Sequence, residues 1–315
     1  MAMPGFAPQR DNVFYLTEGG QETEIQYRHG HDLPEFAMYP LLDDADAMAD
    51  LTAMYSRVLD VAAEHGFAAM ISGLDYRASP DWGEKLGYSR ERLADALEQS
   101  IAFLRAVARP YEGRVPEILI GGMLGPRGDA YSLNQTITAD EAEDYHSFQL
   151  EALKRAEVDF VSAVTFNNVP EAVGVARAAA RIGLPLSISF TLDSNHRLKS
   201  GPSLKEAIEI VDAEAGDARP DFYGINCSHP LEFEPALEPG DWILRIRSLR
   251  PNASAKDKVD LCQLGHIEDG DPVDLGRRIG ALAQRYPHID IFGGCCGTWA
   301  PHLDEMARNI RQTPH

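Results

Sequence analysis

The sequence of 315 residues predicts an α/β protein with the TIM (β/α)₈ barrel fold. Eight short apolar runs rich in β-forming residues recur at fairly even spacing, with helical patterns between them. Most runs are continuously apolar, which is typical of parallel strands covered on both faces. Because the composition does not change abruptly anywhere, we predict a single barrel domain over residues 1–315. An open doubly wound sheet is the alternative, since it uses the same β/α alternation.

The individual elements are predicted from the spacing of their apolar residues. The strand segments are residues 13–17, 67–72, 117–124, 159–166, 186–192, 222–227, 242–249 and 289–293. The helical patterns are residues 45–64, 89–108, 138–156, 171–181, 203–213, 272–284 and 301–311. Thr138 and Glu141 predict a capping box, in which each side chain satisfies the other residue's backbone N–H. Residues 232–239 are rich in Pro and Glu and predict only a short helix.

Charge and composition limit the partners of this chain. A net charge of −20 argues against nucleic acid and against an anionic membrane surface, because both are polyanions. No run of about 18 apolar residues predicts a transmembrane helix, and the first residues lack the apolar region of a signal peptide. Four cysteines are too few for a disulfide scaffold. We therefore expect a cytoplasmic protein in a reducing compartment; homo-oligomerisation is left open.

Three of the four cysteines lie at predicted strand ends. Cys227 ends strand six, and Cys295 and Cys296 follow strand eight within a glycine-rich segment. The carboxyl ends of barrel strands carry the active site, and even-numbered strands contribute side chains to the same layer. Adjacent strand residues face opposite ways, so Cys295 and Cys296 reach one point only if the strand has already ended, which the flanking glycines permit.

Three thiolates with a vacant fourth position are typical of a catalytic zinc, because a structural zinc fills all four positions. We therefore predict that Cys227, Cys295 and Cys296 bind Zn²⁺ and are the catalytic residues. The metal charge would hold an incoming thiol as a thiolate at neutral pH, ready for in-line attack on the methyl group of an onium donor. The alternatives are buried cysteines, a redox pair or a glycine turn without function. Cys262 lies away from any predicted strand end and is assigned no role.

Several segments match the motifs of one known family. They are Gly293-Gly294-Cys295-Cys296-Gly297-Thr298 followed by Pro301-His302-Leu303, then Gly224-Ile225-Asn226-Cys227, residues 121–130, and Pro251-Asn252. On these segments the chain resembles the homocysteine S-methyltransferase family, zinc-dependent barrels that move a methyl group onto homocysteine. The resemblance runs from about residue 13 to residue 310. It implies the same three zinc ligands and two small-molecule partners, a thiol acceptor and a methyl donor.

The departures from the family pattern cluster around the substrate. The family's Asp-Gly-Gly segment begins with Glu18 here, and Val164 stands where relatives place a glutamate that contacts the substrate ammonium. The predicted substrate-binding residues are Glu18, Gly19, Asp75, Thr165, Asn226 and Asn252. Asp75 is new at the end of strand two and is not part of the family pattern. Our hypothesis is a rebuilt pocket: either Glu18 and Asp75 bind the ammonium while Arg77 pairs with a carboxylate, or homocysteine is not the preferred acceptor. The alternative is that Val164 packs in the core and homocysteine binds as usual.

The predicted function is therefore a zinc-dependent S-methyltransferase that converts homocysteine to methionine. The chain has no folate or cobalamin modules and no long C-terminal extension like that of betaine-using members, which favours S-methylmethionine or S-adenosylmethionine as the donor. Two alternatives remain. The same zinc chemistry would act on a different thiol or demethylate a small molecule, or the barrel would bind a thiol metabolite without catalysis.

Overall fold

Eight parallel strands form the centre of the molecule. In a computed structural model, which describes residue 6, residues 9–132 and residues 137–312, they are β1 Tyr15–Leu16, β2 Ala68–Ser72, β3 Ile118–Leu124, β4 Phe160–Phe166, β5 Leu186–Phe190, β6 Phe222–Asn226, β7 Ile246–Arg250 and β8 Ile291–Phe292. The strands pair in chain order, and β1 also pairs with β8. This closure confirms the predicted barrel and excludes the open sheet, whose two edges would stay unpaired.

Helices surround the barrel and connect successive strands. In the described residues they are α1 Gln21–Tyr27, α2 Ala45–His65, α3 Pro80–Lys85, α4 Arg90–Ala108, α5 Ala139–Arg155, α6 Val169–Ile182, α7 Leu204–Ala215, α8 Pro230–Phe233, α9 Lys258–Gln263, α10 Pro272–Arg285 and α11 Ala300–Gln312. None of these helices is long and apolar enough to cross a membrane. The predicted capping box is confirmed at the start of α5: Glu141 N–H donates to Thr138 Oγ1 at 3.2 Å, and Thr138 N–H donates to Glu141 Oε2 at 2.9 Å.

The seventh strand begins later than the sequence predicts. Residues 241–245 form a 3₁₀ turn, and β7 starts only at Ile246. Trp242 and Ile243 are buried in the layer between strands and helices, so they produce an apolar run that resembles a strand. Residues 232–239 contain the end of α8 and one 3₁₀ turn, which agrees with the predicted short helix.

The barrel interior is filled near the amino ends of the strands. The side chains that meet there are Tyr15, Ala68, Met70, Phe160, Phe222 and Ile291. Phe6 packs against this cluster, with its ring centroid 5.4 Å from that of Phe160 and 4.7 Å from that of Phe222. Since aromatic side chains occupy the amino end, the opposite end of the barrel is the one that offers space for a ligand.

Candidate functional site

A cavity of about 290 Å³ lies at the carboxyl end of the barrel. Its walls come from the ends of β1, β2, β3, β4, β6, β7 and β8 and from loops that follow them. The aromatic side chains on these walls are Tyr27, Phe36, Tyr55, Tyr76 and Tyr131. The cavity approaches the size of small-molecule sites in general and lies where barrel enzymes carry their active sites.

Cys227 follows β6 directly and lines this cavity. Its backbone adopts a left-handed φ of 51°, which is uncommon for residues other than glycine. The Cys227 N–H donates to the carbonyl of Arg250 at 3.1 Å, and Asn252 Nδ2 donates to the carbonyl of Cys227 at 3.1 Å. Both partners belong to the end of β7 or the loop after it, so the neighbouring strand holds Cys227 in its unusual conformation.

Cys295 and Cys296 lie in a turn after β8 has ended, as the prediction required. Thr298 donates twice to the Cys295 carbonyl, from its N–H at 3.1 Å and from Oγ1 at 2.7 Å. Gly297 has a φ of 80°, and a Cβ atom at this position would collide with the carbonyl of Glu268. Only glycine is therefore tolerated here, and the turn presents two adjacent cysteines to the same cavity.

The sulfur atoms of Cys227, Cys295 and Cys296 all lie within 4.8 Å of one another. Cys227 and Cys295 form a disulfide in this structure, so the predicted set of three thiolates is not present in this state. The reason is geometric: sulfur atoms close enough to share one metal ion are also close enough to be joined by the loss of two electrons. The oxidised pair links the ends of strands six and eight, not the two adjacent cysteines. The side chain of Cys262 lies outside the part of the chain that the structure describes.

Asn226 and Thr165, two of the predicted substrate residues, lie next to the sulfur atoms of Cys227 and Cys295. Asn226 Nδ2 lies 3.4 Å from Cys227 Sγ and 3.9 Å from Cys295 Sγ. Thr165 holds the amide in place: its N–H donates to Asn226 Oδ1 at 2.8 Å, and Asn226 Nδ2 donates to its Oγ1 at 3.0 Å. An amide donor beside a sulfur atom favours the thiolate over the thiol. In the structure the observed contacts of Thr165 and Asn226 are therefore with each other and with the cysteine sulfurs.

Glu18 is fully committed to contacts within the protein. Its carboxylate accepts from Ser72 N–H at 3.1 Å and from Ser72 Oγ at 2.7 Å. Arg250 NH2 donates to Glu18 Oε1 at 2.8 Å, and both members of this ion pair are buried. Glu18 still lines the cavity, but its charge is already neutralised. Arg250 was missed in the sequence analysis because 232 residues separate it from Glu18.

Asp75 does not belong to the cavity wall, contrary to the prediction. It is completely buried, and both of its carboxylate oxygens accept from Met123 N–H at 3.1 Å. Gln149 Nε2 donates to the backbone carbonyl of Asp75 at 2.6 Å. Burial raises the pKa of the Asp75 carboxyl to about 8. A mostly protonated, buried carboxyl supports the loop after β2 and does not supply an anion for substrate.

Asp75→Asn is expected to flatten the fall in stability between pH 5 and pH 8. The folded pKa of about 8 lies above the ordinary 3.8, so over this range the unfolded chain binds fewer protons than the folded chain. Wild-type stability then falls as pH rises, by at most about 1.4 kcal/mol per pH unit from this group. Urea unfolding of both proteins at pH 5 and pH 8 measures the difference. An identical pH dependence in wild type and variant would contradict the assignment.

Gly19 and Asn252 both line the cavity, as predicted. A Cβ atom on Gly19 would lie 2.6 Å from the carbonyl oxygen of Thr298, so the chain passes too close to the cysteine turn for a larger residue. Asn252 is buried, and while its Nδ2 holds the Cys227 carbonyl, its Oδ1 has no hydrogen-bond partner among the described residues. Asn252 thus offers an open acceptor at the site.

Glu22 and Arg77 are charged residues that also line the cavity. Glu22 was given no role in the sequence analysis, whereas Arg77 was named there as a candidate partner for a substrate carboxylate. Glu22 lies in the first turn of α1 and is half-buried; burial raises the pKa of its carboxyl. The Arg77 guanidinium lies over the ring of Trp82, with 4.4 Å to the centroid, and its Nε has no partner among the described residues. An acidic residue in the first turn of a helix is common on protein surfaces. The sequence therefore gives no sign that Glu22 lines a cavity and is not simply exposed to solvent.

Known sequences similar to this chain are homocysteine S-methyltransferases. The profile of the family named homocysteine S-methyltransferase matches residues 15–310. Homocysteine S-methyltransferase 2 of Arabidopsis thaliana is 24% identical to this chain and is aligned over 90% of it and 89% of the relative. Betaine–homocysteine S-methyltransferase 1 of Mus musculus is 26% identical over a shorter match, 51% of this chain and 42% of the relative.

Solved structures give the same fold. The homocysteine methyltransferase MmuM from Escherichia coli, in its oxidized form, superimposes with a TM-score of 0.70 at 19% identity, over 95% of this chain and 96% of that one. Its metallated form gives a TM-score of 0.67 at 18% identity, with the same coverage. At such identities the structural likeness establishes the barrel alone.

Proposed function

Because this chain belongs to the homocysteine S-methyltransferase family and is therefore a methyltransferase, we propose that it methylates the sulfur of homocysteine to give methionine. The observation that carries the proposal is the convergence of three cysteine sulfurs within 4.8 Å on the wall of the cavity at the carboxyl end of the barrel. This is the donor set that a thiol-activating zinc requires.

The reduced cysteines fit the metal. Zinc–sulfur bonds of about 2.3 Å in tetrahedral geometry separate the sulfur atoms by about 3.8 Å, which the observed convergence of Cys227, Cys295 and Cys296 accommodates. Bound zinc would lower the pKa of the acceptor thiol and so keep it as a thiolate at neutral pH. The disulfide between Cys227 and Cys295 must be reduced before the metal is taken up, because a disulfide sulfur is not a thiolate ligand.

The chain's own residues prepare the transfer. The Asn226 amide beside two of the sulfurs offsets their negative charge. Tyr27, Phe36 and Tyr76 line the cavity, and aromatic faces attract a cationic sulfonium such as S-methylmethionine or S-adenosylmethionine. The acceptor sulfur attacks the methyl carbon in line with the breaking bond; the carbon–sulfur bond of the donor breaks, and its electron pair remains on the donor sulfur.

A matrix of thiols against methyl donors tests the proposal. Reduced, zinc-loaded protein is incubated with homocysteine, cysteine or 4-mercaptobutanoate and with S-methylmethionine, S-adenosylmethionine or betaine, and the methylated products are quantified by mass spectrometry. We expect methionine from homocysteine with a sulfonium donor. Methylation of another thiol in preference would replace homocysteine as the acceptor. Bound zinc without any methyl transfer would overturn the proposal and favour a thiol-binding barrel.

A further inference from the structure

An α-amino acid acceptor brings an ammonium group that needs an anion inside the cavity. Val164, which lines the cavity at β4, offers none, although the resemblance places a glutamate there. Glu18 is already neutralised by Arg250 and Ser72. Asp75 is buried away from the cavity and carries a raised pKa. The carboxylates that the sequence suggested are therefore not available for the acceptor.

Besides Glu18, the carboxylates on the cavity wall are Glu22 and Asp129. Asp129 is exposed and accepts from Tyr131 N–H at 3.1 Å and from Ser132 Oγ at 2.9 Å, which leaves Glu22 as the carboxylate available to a substrate. Among the residues that the structure describes, no other group donates a hydrogen bond to its side chain; the carboxylate is close only to its own backbone N–H. Arg250 and Arg77 are near enough to act on it through space, yet neither forms an ion pair with it within the described residues. A desolvated carboxylate in this situation favours the arrival of a cation, because the cation compensates for the lost hydration.

The backbone fixes Glu22 relative to the cysteines. The Gly20 N–H donates to the Thr298 carbonyl at 2.9 Å, and Gly297 N–H donates to Thr23 Oγ1 at 3.1 Å. A Cβ atom on Gly20 would lie 2.5 Å from the Cys295 carbonyl oxygen, so the chain before α1 is in direct contact with the cysteine turn. Glu22 lies on the first turn of this helix. The backbone before Glu22 is therefore held against the cysteine turn, and Glu22 and the three cysteines line the same cavity.

The same cavity also carries positive charge. Arg77 lines it, and its guanidinium lies over the rings of Tyr76 and Trp82, at 5.3 Å and 4.4 Å from their centroids. Its NH1 donates to the carbonyl of Gly128, and its buried Nε has no partner among the described residues. A cavity lined by the unpaired carboxylate of Glu22 and the guanidinium of Arg77 matches the two charges of a zwitterionic α-amino acid.

We propose that Glu22 binds the α-ammonium group of the acceptor, in place of the glutamate that relatives carry at the position of Val164. The inference rests on the proposed function, since it identifies the residue that selects an amino-acid thiol at that same site. Specificity then comes from a different element of the barrel: from the helix after β1 and not from β4.

The test measures thiol binding directly, so it does not depend on the donor. Calorimetry gives the Kd of reduced, zinc-loaded protein for homocysteine and for 4-mercaptobutanoate, which is homocysteine without its amino group. Wild type is expected to bind homocysteine roughly 10- to 100-fold more tightly, the range for one hydrogen bond to a charged group. Glu22→Gln is expected to lose this preference by weakening homocysteine binding alone. Glu22→Asp keeps the charge and is expected to retain part of the preference for homocysteine.

Glu35→Gln is the matched control. Glu35 is exposed, does not line the cavity and is next to the cavity residue Phe36, so this variant removes one nearby negative charge without removing the contact. It is expected to leave both Kd values unchanged. Zinc content and thermal unfolding of each variant show whether the site is intact. If Glu22→Gln does not fold, Glu22→Asp is the test, and it is expected to show a reduced preference for homocysteine.

Three outcomes would overturn the inference in different ways. Equal homocysteine affinity in wild type and Glu22→Gln excludes the contact while leaving the proposed function intact. A higher KM for the donor in Glu22→Gln, with the homocysteine Kd unchanged, assigns the carboxylate to the donor instead. If wild type methylates no thiol and binds neither thiol, the proposed function itself fails, and the inference fails with it.

Discussion

Serine in place of Cys227, Cys295 or Cys296 is expected to lower bound zinc from about one ion per chain to less than about a tenth. A serine hydroxyl stays protonated at neutral pH and is a poor ligand for a metal that prefers thiolate, so each variant leaves only two good donors. The protein is reduced, loaded with zinc, passed through a desalting column and analysed for metal by mass spectrometry. Methyl transfer, measured on the same samples, is expected to fall in parallel.

Cys262→Ser is the control for this series, because the chain has four cysteines and the fourth has no assigned role. It is expected to retain zinc and activity. The wild-type protein with the Cys227–Cys295 disulfide provides a second control: it is expected to take up little zinc until a thiol reductant is added. Full zinc occupancy in Cys227→Ser or Cys295→Ser would show that the metal binds elsewhere.

Arg250→Met is expected to lower the free energy of unfolding by about 3–5 kcal/mol, the usual cost of leaving one member of a buried ion pair without its partner. The remaining Glu18 carboxylate would keep its two hydrogen bonds from Ser72 but would lose the cation at 2.8 Å. Urea unfolding measures the change, with the slope of the transition used to verify that both proteins unfold in one step.

The double variant Glu18→Gln/Arg250→Met separates the ion pair from the rest of the Arg250 side chain. Neutralising both partners removes the stranded charge, so the double variant is expected to be more stable than Arg250→Met alone. Arg250 Nε also donates to the carbonyl of Gly294, next to Cys295, at 3.3 Å. This hydrogen bond is missing in both the single and the double variant. A stability of Arg250→Met within about 1 kcal/mol of wild type would show that the pair has little net effect.

Much of the fold follows from short stretches of sequence. Continuous apolar runs predicted all eight strands, and the Thr138–Glu141 capping box predicted the start of α5, because these signals depend on a few neighbouring residues. The exact ends of the strands could not be predicted from such local signals. The 3₁₀ turn before β7 carries buried side chains like those of a strand, and burial alone does not reveal which backbone hydrogen bonds form.

The kind of chemistry that the chain supports can be predicted from residue type and strand position: three cysteines lie at the ends of two even-numbered strands and meet once the strands close into a barrel. Which acidic residues remain available to a substrate depends on long-range contacts that the sequence does not reveal. Glu18 is neutralised by an arginine from the far end of the chain, and Glu22 lies in the cavity without a side-chain partner in the described residues. The charge and pairing of a carboxylate depend on burial and on partners that are distant in sequence, whereas a metal-ligand motif depends on residue type and strand position.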